Sequence, residues 1–461
     1  MSAFLALFLT FGCADQDQHW AEDEALKERW NYNNDPANFR GIELTYAFDK
    51  LPDMGKADRE VWPSTYWATY KDSINARWHS KRVGDEYKKE FSPAEKYDQV
   101  FHGWEPTSEF MAMKPYVNGN ACKDFDKEYY DNLGPLASHI SNHMGNARAR
   151  NGVDDDGDGN IDECDDRDGV ETWFGLCHAW APAAMLEDRP MYPIRVKGVT
   201  FLPGDIEALI IATYNRPPAD MIGGRCNDKE VKRDDNGRIE DVACRDTNPG
   251  TLHVVMGNYL GLNGRSFVED RTYNYEVWNQ PIVEYEVTKM DEITAKEANE
   301  ALGLEGDKYE YNLDAKIFYK VKAKVVYLAE SDANVEPIDI TRFHRTDRYD
   351  YILELDGERN IIGGEWIGNS RTSHPDFLWS PYQVQRSPVP FLDIKEVREL
   401  IRLSRLVDPA ARGMQDPEFV YPEPPAPVEE PVEEPVTESP EPGTDTDTDT
   451  DTPAPEPTDV D

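Results

Sequence analysis

Basic residues are few in this chain of 461 residues, where 49 Lys and Arg stand against 90 Asp and Glu and give a formal net charge of −41. A field of that sign repels nucleic acid, so DNA and RNA are excluded as partners, whereas divalent cations and basic partners are attracted. Residues 421–461 contain no Lys or Arg and are mainly Pro, Glu, Thr and Asp. They lack the apolar surface needed to fold, which predicts a disordered acidic tail over 421–461.

A long apolar run is also missing, because the apolar stretch within residues 1–13 is too short to cross a bilayer. It resembles the apolar region of a secretory signal, and Gly12-Cys13 resembles a bacterial lipoprotein cleavage site that would attach Cys13 to the outer membrane through a lipid. Two features depart from that pattern: no Lys or Arg precedes the run, and Phe11 is bulky. We expect an exported protein, either a surface lipoprotein or a secreted one, with residues 14–40 as a polar tether.

One cysteine stands out. Cys177 follows the turn-like Phe174-Gly175-Leu176 and precedes a short run rich in Ala. This pattern predicts a thiol at the N-terminus of a helix, where unpaired backbone N–H groups and the helix dipole favour the thiolate. The ordinary alternative is a small buried core residue or a disulfide partner.

Two later residues complete a candidate catalytic triad with Cys177. His253 lies in an apolar run that we interpret as a strand, and Asp270 lies on the next strand across an Asn-Gly turn. Nucleophile, base and acid in this chain order are typical of papain-like and transglutaminase-like triads. A satisfied core histidine is the alternative for His253. His178 is the weaker candidate base because adjacent helical residues point about 100° apart, and Glu269 is expected on the opposite strand face.

Four cysteines remain once Cys13 and Cys177 are set aside, an even number that suits an oxidising compartment. Proximity in the sequence favours a Cys226–Cys244 disulfide, and elimination then leaves Cys122–Cys164.

Residues 154–165 match the template of a calcium-binding loop. A glycine stands at the turn and Ile161 at the inward-packing position, and Asp165 replaces the usual Glu at the last position. The five acidic side chains at ligand positions would repel one another without a cation, so we expect Ca²⁺ here; the alternative is a solvated acidic turn. The predicted ligands are Asp154, Asp156, Asp158, Asn160, Asp162 and Asp165.

The pattern of elements predicts an α+β fold for a single body over residues 41–420, with helices before Cys177 and strands after it. Helices are predicted over 92–101, 135–149 and 206–214. Strands are predicted over 192–201, 252–260, 266–270, 282–288, 316–328, 350–355 and 360–367.

Several of these segments together resemble the secreted transglutaminase elicitors of oomycetes and their marine-bacterial relatives. The resemblance spans roughly residues 40–400, and its most specific part is Val277-Trp278-Asn279-Gln280-Pro281, which matches the core of the peptide by which plants recognise that family. The other segments that carry it are Trp62-Pro63-Ser64, Tyr66-Trp67, Ser92–Asp98, Trp173–Ala184, Leu252–Val255 and His374–Trp379.

The resemblance implies a fold related to papain-like peptidases and a calcium-dependent protein-glutamine γ-glutamyltransferase. Its substrates would be proteins with accessible Gln and Lys, and its triad would fall on Cys177, His253 and Asp270. The alternatives are a secreted papain-like cysteine peptidase or a deamidase that uses the same triad, and a calcium-stabilised surface adhesion protein in which Cys177 is structural. The Cys177 backbone N–H is expected to bind the oxyanion, with a second donor that the sequence does not identify.

Overall fold

The computed structural model describes residues 33–79, 90–113, 127–145, 159, 172–228, 230–233, 239, 244, 247–272, 275–309 and 311–414. These residues belong to one unit, Met1–Gln415, and the second unit, Asp416–Asp461, lies outside the described residues. The predicted signal at 1–13, the predicted lipid attachment at Cys13, the predicted Cys122–Cys164 disulfide and the predicted acidic tail also lie outside them.

An antiparallel sheet of eight strands organises the described part of the chain. The strands follow the order β4-β10-β5-β6-β7-β8-β9, and the short β1 also pairs with β6. A separate hairpin is formed by β2 and β3. The strands are β1 Met54–Lys56, β2 Ile194–Val196, β3 Val199–Phe201, β4 Ala219–Gly223, β5 Phe267–Asp270, β6 Asn279–Ile293, β7 Ile317–Leu328, β8 His344–Leu355, β9 Ile361–Trp366 and β10 Phe377–Pro381.

Helices cover both faces of this sheet. They are α1 Pro93–Tyr97, α2 Ser108–Ala112, α3 Lys127–Asp131, α4 Pro135–Met144, α5 Cys177–Leu186, α6 Pro203–Thr213, α7 Pro249–Met256, α8 Ala295–Leu302 and α9 Ile394–Ser404. π-Helical turns extend α1 over Asp98–His102 and α7 over Gly257–Leu262.

The two faces of the sheet bury different cores, because side chains alternate along each strand. On β5, Val268 joins the core formed by α1, α4, α5, α6 and α9, which we call the α5 core. Its neighbour Phe267 joins the core formed around α7, which we call the α7 core. On β5, even-numbered residues therefore face the α5 core and odd-numbered residues face the α7 core.

The mixed α+β reading is confirmed, with a curled antiparallel sheet; the relation to papain-like peptidases stays a prediction. The helix predicted over 92–101 corresponds to α1 and its π turn, and Ser92 and Glu95 form a capping box at its start. The helices predicted at 135 and 206 match α4 and α6, while the strand predicted over 192–201 is the β2–β3 hairpin.

The strand predicted over 252–260 is wrong, because those residues form α7 and its π turn. Asn248 caps the helix and Pro249 occupies its first turn. Both are sequence signals of a helix start, and they were overlooked in favour of the apolar run that follows. All the residues of α7 are buried, so the run has no amphipathic period to distinguish a helix from a buried strand. Gly250 permits the close packing of α7 on β9, since a Cβ there would lie 2.3 Å from the carbonyl oxygen of Gly363.

Residues 33–40, predicted as the end of a tether, pack on the body. Phe39 is buried in the α7 core. Thr251 donates from Oγ1 to the carbonyl of Asn34 at 2.6 Å, and Arg40 pairs with the buried carboxylate of Asp220.

The predicted disulfide between Cys226 and Cys244 is confirmed. No helix within the described residues is both long and apolar enough to span a membrane.

Candidate active site

Cys177 is the first residue of α5, as the sequence predicts. The cap residue, Leu176, contributes no side-chain hydrogen bond to the helix end, which is instead anchored by the Leu176 N–H donating to the carbonyl of Tyr66. Gly175 allows this approach, because a Cβ on it would lie 2.5 Å from the Tyr66 ring. The thiol is thereby fixed at the positive end of a ten-residue helix.

The sulfur of Cys177 is buried between two groups from the segment that leads into β6. Sγ lies 3.8 Å from the carbonyl oxygen of Val277 and 3.7 Å from the amide Nδ2 of Asn279. A neutral thiol satisfies both contacts, since S–H donates to the carbonyl and sulfur accepts from the amide. Burial raises the pKa of the Cys177 thiol to about 11, against the lowering effect of the bonds from Asn279. In this arrangement the Cys177 sulfur is therefore held as a thiol.

Asp270 lies beside Asn279, the residue whose side-chain amide contacts Cys177. It is the register partner of Asn279 across β5 and β6, so the two side chains lie side by side on one face. Its Oδ1 accepts from the Trp278 backbone N–H at 2.8 Å, while Oδ2 has no hydrogen-bond partner among the residues described. Burial raises the pKa of Asp270 to about 7, which places its titration in the range useful for proton transfer.

His253 lies on the other side of the sheet. It belongs to α7, whose neighbouring residues fill the α7 core, and its Nδ1 is 2.8 Å from the hydroxyl of Tyr351. Burial lowers the pKa of His253 to about 4, with no charged neighbour contributing. The structure thus brings Cys177 and Asp270 together and leaves His253 beneath the opposite face.

The two residues set aside from the sequence lie away from the sulfur. His178 points to Asn215, with Nε2 2.8 Å from Oδ1, and burial lowers its pKa. Glu269 pairs with Leu378 of the α7 core, so it faces away from Cys177 as predicted.

Trp180, one turn along α5 from Cys177, is a core residue. It is fully buried in the α5 core and donates from Nε1 to the carbonyl of Trp62 at 3.1 Å.

The predicted calcium ligands lie outside the described residues. Among the residues described, no group of three or more His, Cys, Asp or Glu side chains could hold a metal ion. Ca²⁺ at loop 154–165 therefore stays a prediction.

Two residues near Cys177 were missed by sequence reasoning. Asn279 lies within the peptide motif that carried the resemblance, and Trp379 ends another such segment, but neither was assigned a place in the site. Trp379 donates from Nε1 to Asn279 Oδ1 at 2.8 Å. For Asn279, the sequence did contain one signal: it follows Asp270 by nine residues, a separation that suits two residues paired across a hairpin.

Comparison with known proteins identifies one family and one similar solved structure. The family described as transglutaminase elicitor matches residues 36–405. The crystal structure of the GP42 transglutaminase from Phytophthora sojae is similar to the chain, with 29% identity and a TM-score of 0.58. The match covers 81% of this chain and 98% of that one. No curated protein sequence matches significantly.

Proposed function

Because the chain belongs to the transglutaminase elicitor family, we propose that it is a protein-glutamine γ-glutamyltransferase that acts through a Cys177 thioester. The observation that carries this proposal is the convergence of Cys177, Asp270 and Asn279 on one face of the sheet, with the thiol at a helix N-terminus. A nucleophilic thiol beside a group that titrates near neutral pH is the minimum that acyl transfer requires.

In the first half-reaction, Cys177 Sγ attacks the γ-carboxamide carbon of a protein glutamine. The thiol proton passes to Asp270 and from there to the departing nitrogen, so that the C–N bond breaks and ammonia leaves. Asp270 suits both tasks because its pKa of about 7 leaves a useful fraction in each protonation state at neutral pH.

In the second half-reaction, the ε-amine of a protein lysine attacks the thioester carbon. The amine gives up a proton through Asp270 to the leaving sulfur, which regenerates the thiol and Asp270 and releases the isopeptide. Water in place of the amine yields glutamate, so deamidation uses the same residues.

Calcium binding, export and lipidation are proposed mainly from the sequence. The Asp-rich loop 154–165 is proposed to bind Ca²⁺ and to order the approach to Cys177, and no chemical step runs through the ion. Export is proposed from the signal-like start, and the Cys226–Cys244 disulfide supports it because such bonds persist in oxidising compartments. Cys13 is proposed to carry a lipid.

The test is incorporation of a labelled primary amine into a glutamine-rich protein, with and without Ca²⁺. We expect incorporation by the wild type and none by Cys177→Ala or Cys177→Ser, with all three chains showing the same melting temperature. Peptide-bond cleavage without incorporation would identify a peptidase instead. Ammonia release without incorporation would identify a deamidase, and no reaction at all would favour the adhesion protein.

A further inference from the structure

The side-chain amide of Asn279 is locked with its NH₂ group toward the nucleophile. Its Oδ1 receives the indole N–H of Trp379 at 2.8 Å, and its Nδ2 lies 3.7 Å from Cys177 Sγ. An indole nitrogen can only donate, so Oδ1 must face Trp379 and Nδ2 must face the sulfur. The orientation of the amide therefore follows from chemistry.

Trp379, which fixes the amide of Asn279, lies two strands away from it in the sheet. It lies on β10 in register with Val268 of β5, and Asn279 lies on β6 beyond β5, so the indole reaches across the middle strand. Both Trp379 and Asn279 are almost fully buried, with 6% and 4% of their surfaces exposed. Buried groups on the strands of a sheet are held more firmly than groups on loops, which is the condition for a preorganised donor.

We propose that Asn279 is a catalytic residue that donates from Nδ2 to Cys177 Sγ as the thiolate forms and then to the acyl oxygen, and that Trp379 is its positioning residue. When the acyl carbon is bonded to Sγ, its oxygen lies only two bonds from the sulfur. A donor that already contacts the sulfur is therefore also close to that oxygen. Asn279 keeps its own protons throughout and forms no covalent bond.

The same contact opposes the effect of burial on the nucleophile. Bonds from the side chain and backbone of Asn279 favour the charged sulfur, whereas burial and the nearby carboxyls of Glu330 and Asp270 disfavour it. Removing the amide should therefore raise the pKa of the Cys177 thiol further.

The first test measures the thiol and needs no transfer activity. The full-length chain is alkylated with iodoacetamide from pH 6 to 11, and modified Cys177 is quantified by peptide mass spectrometry. Because the thiol is raised to a pKa of about 11, the alkylation midpoint is defined here as the pH at which the rate reaches the wild-type rate at pH 9. We expect Asn279→Ala to raise the pH midpoint of alkylation by about one unit, and Trp379→Phe to raise it by less. Asn299→Ala is the matched control, since it removes another buried amide, in α8, and should leave the midpoint unchanged.

The second test concerns the acyl oxygen and rests on the proposed function. Asn279→Ala should lower kcat for amine incorporation about 100-fold with little change in KM, as loss of an oxyanion donor does, and Asn279→Gln should restore part of it. An unchanged alkylation midpoint in folded Asn279→Ala would overturn the proposal. If the wild type incorporates no amine, the proposed function fails, and the alkylation midpoint still decides the role of Asn279 toward the sulfur.

Discussion

Glu269 and Asp270 are consecutive residues of β5, yet their carboxyl groups face opposite cores. Asp270 pairs with Asn279 on the side of Cys177, whereas Glu269 pairs with Leu378 on the side of α7. Both are fully buried. Of these two adjacent carboxyls, only that of Asp270 lies on the side of Cys177. Glu269 is therefore the control residue for the first prediction.

Asp270→Asn should lower amine incorporation by at least 100-fold, because general acid–base catalysis contributes about 10²–10⁴-fold. Glu269→Gln should retain activity. It should also raise the melting temperature at pH 8, because burial raises the pKa of Glu269 well above its usual range and ionisation is costly there. Initial rates and thermal melts of the two variants check this, and equal activity losses would remove Asp270 from its role.

The pH dependence of stability should also reveal Asp270. Its folded pKa, about 7, lies above the ordinary value of 3.8, so the folded state binds the proton more tightly and stability falls as pH rises from about 4 to 7. Asp270→Asn should remove this slope, which amounts to about 4 kcal/mol at most. Urea unfolding at pH 4.5 and pH 8 measures the difference, and parallel curves for wild type and variant would contradict the shift.

His253→Gln should keep most of the activity per folded molecule. The folded pKa of His253, about 4, lies below the ordinary 6.5, so the unfolded state gains a proton first and stability is lost as pH falls from about 6.5 to 4. The variant should lack that loss, because Gln does not titrate. Tyr351→Phe, which deletes only the hydroxyl beside Nδ1, is the control for the lost hydrogen bond. An activity loss as large as that of Cys177→Ala would restore His253 to the catalytic group.

Asp156→Ala combined with Asp158→Ala should abolish the increase in melting temperature that Ca²⁺ produces, because ligand binding to the folded state alone is what raises stability. Asp445→Ala with Asp447→Ala removes the same charge from the acidic tail and should leave that increase intact. Calorimetric scans with Ca²⁺ and with chelator distinguish the two. An unchanged increase in the first variant would place the ion elsewhere.

Deleting residues 421–461 should leave activity and melting temperature unchanged, because the segment has no apolar anchors for packing on the body. Limited proteolysis should trim the tail first and leave a resistant fragment that ends near Asp416. A deletion that raised the activity or lowered the melting temperature would show that the tail contacts the body.

The site was only partly readable from the sequence, for reasons that differ between residues. Cys177 was found because a turn followed by small apolar residues signals a helix start. Asp270 was chosen as the neighbour of His253 across a hairpin, whereas the structure pairs it with Asn279 instead. His253 was misplaced because a buried helix and a buried strand are equally apolar. Asn279 and Trp379 were missed because their roles depend on strand order, β10-β5-β6, which pairs residues about 100 positions apart and leaves no local pattern.

The contact between the Cys177 thiol and the Val277 carbonyl has a consequence for the lifetime of the protein. Outside a cell, a thiolate is open to peroxide and to exchange with other disulfides, whereas a protonated sulfur reacts slowly with both. The Cys177 sulfur is buried, protonated and in contact with a carbonyl oxygen, so it should react slowly with oxidants. The burial that raises the pKa of this thiol should therefore also lengthen the time for which it stays reduced in an oxidising environment.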